Sequence, residues 1–200
     1  MKRSAPRGVT LIELAVVVAL VALLLMAIIP SASTWIRNIQ IRNVATSLQN
    51  GLQKARAEAM RRNTNVRFSL VSLNDSAVMD NSCAVADNGV SWVVSLDDPS
   101  NSCASAVSDT TAPRILDKQA TGSGGKWVVV QGSDAGGSDA DSIIFNGFGR
   151  PTGTASLARL NVNNNVAGDD YRALRIVIST GGTVRMCEPA VTSSSDPRKC

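Results

Sequence analysis

Histidine is absent from this chain, and aromatic residues make up only 4% of it. Without histidine, serine and cysteine nucleophiles lack their usual base, and zinc lacks its commonest nitrogen ligand. The four cysteines, Cys83, Cys103, Cys187 and Cys200, show no C-x-x-C spacing, so a thiolate metal site is disfavoured too. Asp97, Asp98, Asp139, Asp141, Asp169 and Asp170 lie in hydrophilic stretches and read as solvated turn residues. Gly122-x-Gly124-Gly125 and Gly181-Gly182 lack the lysine and the helical sequel of a phosphate loop. The chain therefore reads as a non-enzyme with no cofactor, no metal and no small-molecule substrate.

What is present is placed unevenly. Val9 to Ile29 is a 21-residue apolar run interrupted only by Thr10 and Glu13. At helical rise it extends ~31 Å, close to the hydrocarbon thickness of a bilayer. The net charge of +4 is a property of the first residues. Lys2, Arg3 and Arg7 precede the run without an acid, and without them 17 basic residues face 16 acidic ones. A basic flank of this kind holds its side of a membrane segment in the cytoplasm, so the rest of the chain is exported. A basic isoelectric point is accordingly poor support for a nucleic-acid partner.

A secretory signal peptide has a shorter apolar region ending at small residues, unlike this one. A plain membrane anchor explains length and orientation but not Glu13. A carboxylate in a membrane helix costs about 2.5–3.5 kcal/mol at the centre and less near the interface. Arg7-Gly8-Val9-Thr10-Leu11-Ile12-Glu13-Leu14 resembles the leader junction of type IV pilins and type II secretion pseudopilins. That resemblance implies cleavage of the Gly8–Val9 bond by prepilin peptidase and methylation of the new N-terminus at Val9. Val9 departs from the phenylalanine or methionine usual after the glycine. Glu13 becomes the fifth mature residue and pairs with the amine of a neighbouring subunit, which offsets its burial. Pro30 falls where these proteins place a helix-kinking proline.

Beyond Pro30 the pattern stays helical but becomes amphipathic. Ile41, Val44, Ala45, Leu48, Leu52, Ala55 and Ala59 form one apolar stripe, and Glu58 and Arg62 are ordered for an i, i+4 pair. Gly51 weakens the helix by about 1 kcal/mol relative to alanine. Asn63-Thr64-Asn65 ends a helix of about 50 residues. Within it, L-x3-L-x2-A-R-x-E-A from Leu48 to Ala59 is similar to the GspH/FimT family of minor pilins and pseudopilins.

Strands are expected at 66–73, 90–96, 127–131, 142–145, 173–179 and 183–187, with Thr180-Gly181-Gly182 as a hairpin turn. Residues 74–89 and 97–126 read as surface loops. Four exported cysteines imply two disulfides, and of three connectivities the local one, Cys83–Cys103 with Cys187–Cys200, is favoured because each pair brackets a turn-rich stretch. Ile144-Phe145-Asn146-Gly147-Phe148-Gly149 is similar to the F-x-x-x-G element of the same family. Gly182 to Cys187 with Asp196 to Cys200 is like the C-terminal hairpin and cysteine loop of FimT- and FimU-type minor pilins.

The fold expected is α+β and type IV pilin-like: one long N-terminal helix packed on an antiparallel sheet or β-sandwich head. Its parts are a leader at 1–8, a transmembrane or filament-core helix at 9–30, an amphipathic continuation at 31–63 and an exported head at 64–200. The resemblance implies a minor pilin of the bacterial inner membrane, single-pass with its head in the periplasm and later in the pilus at the cell surface. Its partners are prepilin peptidase and other minor and major pilins. A second reading is DNA capture, because FimT-type pilins bind DNA through a Gly-Arg-x-Arg element in the last hairpin. Here Thr183 replaces the first arginine, leaving Arg185, Arg198 and Lys199 as contacts. A third is a minor pseudopilin of type II secretion.

Overall fold

The computed structural model describes residues 8–153, 155–166, 168 and 170–200, with the side chains of residues 25, 27–32, 123 and 124 outside the described set. Lys2, Arg3 and Arg7 of the leader thus lie outside the described residues. The chain divides after Ile36 into two compact units, taken separately below.

The backbone is helical from Leu11 to Arg62 (α1, 52 residues). In the first unit its described apolar side chains are exposed, Leu11 at 86% and Leu23 at 66%. Among the described residues no helix is long and apolar enough to cross a membrane. The 21-residue run read from the sequence includes positions 25 and 27–29, whose side chains lie outside that set.

In the second unit the amphipathic stripe is buried as its spacing requires: Ile41, Ala45, Leu48, Leu52, Ala55 and Ala59 are fully buried and Val44 almost so. Gly51 has a packing reason that propensity alone does not reveal. A Cβ there would stand 2.7 Å from the Trp92 ring and 2.8 Å from Phe68, so the two rings lie against bare helix backbone. Trp92 Nε1 donates to Ser47 Oγ at 3.0 Å, satisfying the indole against the same helix.

Among the described residues ten strands follow: β1 (Val66–Ser72), β2 (Ala84–Val85), β3 (Ser91–Ser95), β4 (Ile115–Gln119), β5 (Val128–Ser133), β6 (Ser142–Phe145), β7 (Pro151–Thr152), β8 (Arg159–Asn164), β9 (Leu174–Ile178) and β10 (Val184–Cys187). They form two antiparallel sheets. The first runs β4-β3-β1-β6-β7 with β2 against the end of β1, and the second runs β10-β9-β8-β5. One core joins the helix stripe to Phe68, Leu70 and Phe145 of the first sheet and Val130, Leu160, Val162 and Ile176 of the second. The class is α+β, a helix packed on antiparallel sheets.

The structure departs from the sequence expectation in several places. β2 and β4 lie inside stretches expected to be loop, and β7 and β8 were not expected. Trp127 closes a 3-10 turn, Ser123–Trp127, rather than opening a strand. The two stretches expected as surface loops also contribute to a second, smaller core. Cys83, Cys103 and Ile115 are fully buried with Val71 and Val93. All five residues of β3 are buried, so that strand is covered on both faces. The disulfides join Cys83 to Cys103, at the centre of that cover, and Cys187 to Cys200.

Candidate assembly site and basic face

The N-terminal junction is built for access and for a helix start. Gly8 is exposed and has nothing within 4 Å of where a Cβ would stand. Thr10 precedes the first helical residue, and its Oγ1 accepts the Glu13 N–H at 3.3 Å, an N-cap. The same hydroxyl donates to Glu13 Oε2 at 3.5 Å. A carboxylate in the first turn also suits the positive end of the helix dipole. Glu13 is exposed and has no cation partner among the described residues. Val9, directly before the cap, is exposed. The α1 backbone passes through Pro30, whose side chain is outside the described set.

The signature residues in the second half of α1 meet two turns of the head. Arg56 Nε donates to the Gly149 carbonyl at 3.1 Å. Gly149 has φ of +71° beside Met60 and Arg56, and a Cβ on Gly182 would come within 1.9 Å of the Gly149 oxygen. A Cβ on Gly147 would stand 2.4 Å from Asn63 Oδ1, at the helix end. Phe145 is fully buried, whereas Phe148 at the turn is 82% exposed. The A-R-x-E-A, F-x-x-x-G and C-terminal hairpin elements are therefore one junction, where the helix end, the β6–β7 turn and the β9–β10 turn approach too closely for side chains. Glu58, of the same helical element, accepts from Arg61 at 2.7 Å and Arg62 at 2.9 Å. The Arg61 hydrogen bond, then that of Arg62, holds its carboxyl below the usual range against the opposing effect of burial.

The three basic residues expected at the C-terminus do not act alike. Arg185 lies on edge strand β10, exposed, with its Nη1 on the Lys199 carbonyl at 3.0 Å. Arg198 is neutralised: Nη2 meets Asp196 at 2.7 Å and Nη1 meets Glu188 at 3.5 Å. That pairing, led by the Arg198 side-chain hydrogen bond, lowers the Asp196 carboxyl below its ordinary range. Lys199 is exposed, and its backbone bridges to Glu188.

Strand register adds two arginines that the sequence reading missed. Val177 pairs with Arg159 on one side and Arg185 on the other, and Arg175 sits opposite Asn161 and Cys187. Arg159, Arg175 and Arg185 therefore share the outer face of the second sheet, with Arg175 diagonal to the other two at about 7–8 Å. Each bonds a neutral oxygen: Arg159 the carbonyls of Asp134 and Ala135, Arg175 the Asn161 amide, Arg185 the Lys199 carbonyl. Among the described residues none of the three has a carboxylate within salt-bridge distance. The available signal was the period-two spacing of Arg159 with Asn161 and of Arg175 with Val177, usable only once β8 is recognised.

Two of the loop acids have structural partners. Asp97 pairs with Arg114, whose side-chain hydrogen bond lowers its carboxyl, and Asp98 accepts the Ser100 N–H and hydroxyl in a turn. No group of three or more potential metal ligands occurs among the described residues.

An apolar N-terminal helix with a threonine-capped glutamate in its first turn, joined to an α+β head, defines a pilin-type subunit. The family profile for the prokaryotic N-terminal methylation motif matches residues 3–29. The profile described as Type II transport protein GspH matches residues 44–182. The chain belongs to the GspH family, whose members are structural subunits, and it is a minor pilin or pseudopilin bearing an N-methylation motif. The motif implies processing by prepilin peptidase and association with other pilins, and the family is membrane-anchored and faces the periplasm. The chain is also similar in structure to the type IV minor pilin FimU of Pseudomonas aeruginosa strain PAO1 in two crystal forms. The first has 15% identity and a TM-score of 0.44, covering 76% of this chain and 99% of that one. The second has 12% identity and a TM-score of 0.44, covering 76% and 95%. No curated protein matches the chain.

Proposed function

We propose that this chain is a minor pilin without catalytic activity that helps initiate a type IV pilus and is incorporated near its tip. Prepilin peptidase removes residues 1–8, and the Val9 amine is methylated. Val9 to Ile29 crosses the inner membrane once, with the head in the periplasm, and then packs beside the same segment of other pilins. Residues 31–63 carry the helix into the head at 64–200. The observation that carries this is the exposure of the apolar side chains of α1 in the first unit. Burying a leucine-sized side chain gains roughly 1.5–3 kcal/mol, so such a surface requires lipid or another greasy helix. Glu13 pairs with the amine of the adjacent subunit during assembly. Replacing Glu13 by alanine is expected to abolish incorporation while leaving the chain stable in the membrane. Normal incorporation and piliation would sink the proposal. A minor pseudopilin of type II secretion shares all these parts. The C-terminal cysteine loop favours the pilus, and deletion of the gene, scored for pili and for secreted protein, separates the two.

A second reading, DNA capture, is favoured by the three arginines on the second sheet. Sequence-independent contact with phosphates makes affinity fall with salt, by about 0.9 in the log–log slope per contact. Arg159→Gln, Arg175→Gln and Arg185→Gln should each weaken binding and flatten that slope. Arg198→Gln should not, because Asp196 and Glu188 already occupy its guanidinium. The absence of any gel shift by the head at low salt ends this reading.

A further inference from the structure

A second cationic cluster, with aromatic residues, lies at the opposite end of the helical segment of the head from the glycine junction. Arg37 places its guanidinium over the Trp127 ring at 4.4 Å and the Tyr171 ring at 5.8 Å. Three segments distant in sequence are tied together there. Asn38 donates to the Asp170 carbonyl at 3.2 Å and accepts the Arg172 N–H at 2.8 Å. Asn165 donates its backbone N–H to the Trp127 carbonyl at 2.9 Å and its side-chain amide to the Lys126 carbonyl at 3.1 Å. Although so well fixed, Trp127 remains 43% exposed. Val166 in the tied segment and Val129, the next outward residue along β5, are half exposed. Lys126 and Arg172 are exposed, and neither they nor Arg37 have an ion pair among the described residues. The acid on this surface is the exposed Asp170, with Asp169 beside it in sequence and outside the described set.

A rigid tryptophan, a tyrosine and a guanidinium with open N–H edges form the combination that suits a lipid headgroup layer. The rings are amphipathic and sit where apolar and wet regions meet, and the cations reach phosphate. The cluster is also tethered near the anchor, since Arg37 follows Ile29, the end of the apolar run, by only eight residues of sequence.

We propose that Arg37, Trp127, Tyr171, Lys126 and Arg172 form a headgroup seat with which the head rests on the anionic surface of the membrane before it enters a filament. The proposal rests on the membrane-anchored reading above, and the test separates the two. The full chain is reconstituted into vesicles of phosphatidylethanolamine and phosphatidylglycerol, ordinary or brominated near the headgroup end of the acyl chain. Co-flotation that resists alkaline carbonate tests the anchor alone. The seat is read in a Trp35→Phe background, where Trp92, buried in the core, and Trp127 remain. Brominated lipid should remove at least a third of the emission. Adding Trp127→Phe should abolish that quenching, and adding Arg37→Gln should reduce it about twofold with Trp92 emission unchanged. A chain that floats but shows equal emission in both lipids overturns the seat and leaves the anchor standing. Shielding of Trp127 from iodide without bromolipid quenching overturns it too, and assigns the face to a protein neighbour.

Discussion

The two halves of α1 use the same aliphatic alphabet to opposite ends. Between Ile41 and Ala59 the apolar residues form a stripe, and every member is at most 3% exposed. Before Ile36 they surround the axis, and Leu11, Leu14, Leu20 and Leu24 are each more than half exposed. An amphipathic helix completes its own fold, whereas a helix apolar on every side has to be completed by lipid or by other subunits. The one ionisable residue described in the apolar part, Glu13, follows the same logic: its cap uses one backbone donor and leaves its charge for a partner.

Core truncation should break this contrast most visibly. Phe145→Ala is expected to destabilise the head by about 3–5 kcal/mol, measured by denaturation of the chain in detergent. Leu20→Ala in the exposed part should leave that transition within about 0.5 kcal/mol. Equal losses would mean that the two halves are not independent. The disulfides sharpen the comparison within the head. Removing Cys83–Cys103, which closes a loop across 20 residues, should cost about 3 kcal/mol in the chain-entropy model. Limited reduction followed by thiol labelling should open Cys187–Cys200 first, because Cys200 is exposed while Cys83 and Cys103 are fully buried.

Smaller effects follow at the glycine junction. Arg56→Met removes the hydrogen bond that a charged donor makes to the Gly149 carbonyl, an expected loss of about 1–3 kcal/mol. Glu58→Gln should cost under about 1 kcal/mol, because Arg61 is exposed and the Glu58–Arg62 pair is still partly open to solvent. Its carboxyl is held below the usual range, so its contribution is present above that range and disappears as pH falls through the lowered value. Asp98, lowered chiefly by the backbone N–H of Ser100, acts with the same sign. With no histidine in the chain, the denaturation midpoint should be flat from about pH 8 to 5 and fall below about pH 4. A step near pH 6.5 would contradict this.

The helix was legible because its signals are long: a 21-residue apolar run followed by a seven-residue stripe. β8 was not, because Arg159-Leu160-Asn161-Val162-Asn163-Asn164 mixes two buried aliphatics with three asparagines, which are poor strand formers. β4 was missed because Asp117 and Lys118 put two charges into a five-residue edge strand; they bond Lys54 and the Cys103 carbonyl. Residues 74–89 and 97–126 have the composition of surface loops, yet a buried disulfide supplies the apolar contact that their side chains do not. Among the candidate contacts, Arg185, Arg198 and Lys199 were visible as local charges. Only pairing across strands shows that Arg198 is occupied and that Arg159 and Arg175 stand beside Arg185.

The intact mass of the protein purified from its native membrane is the most direct test of the central claim. A mature chain beginning at a methylated Val9, with Leu11 to Ile29 retained, is the predicted species. A polypeptide still carrying residues 1–8, or one cut beyond Ile29, contradicts the account.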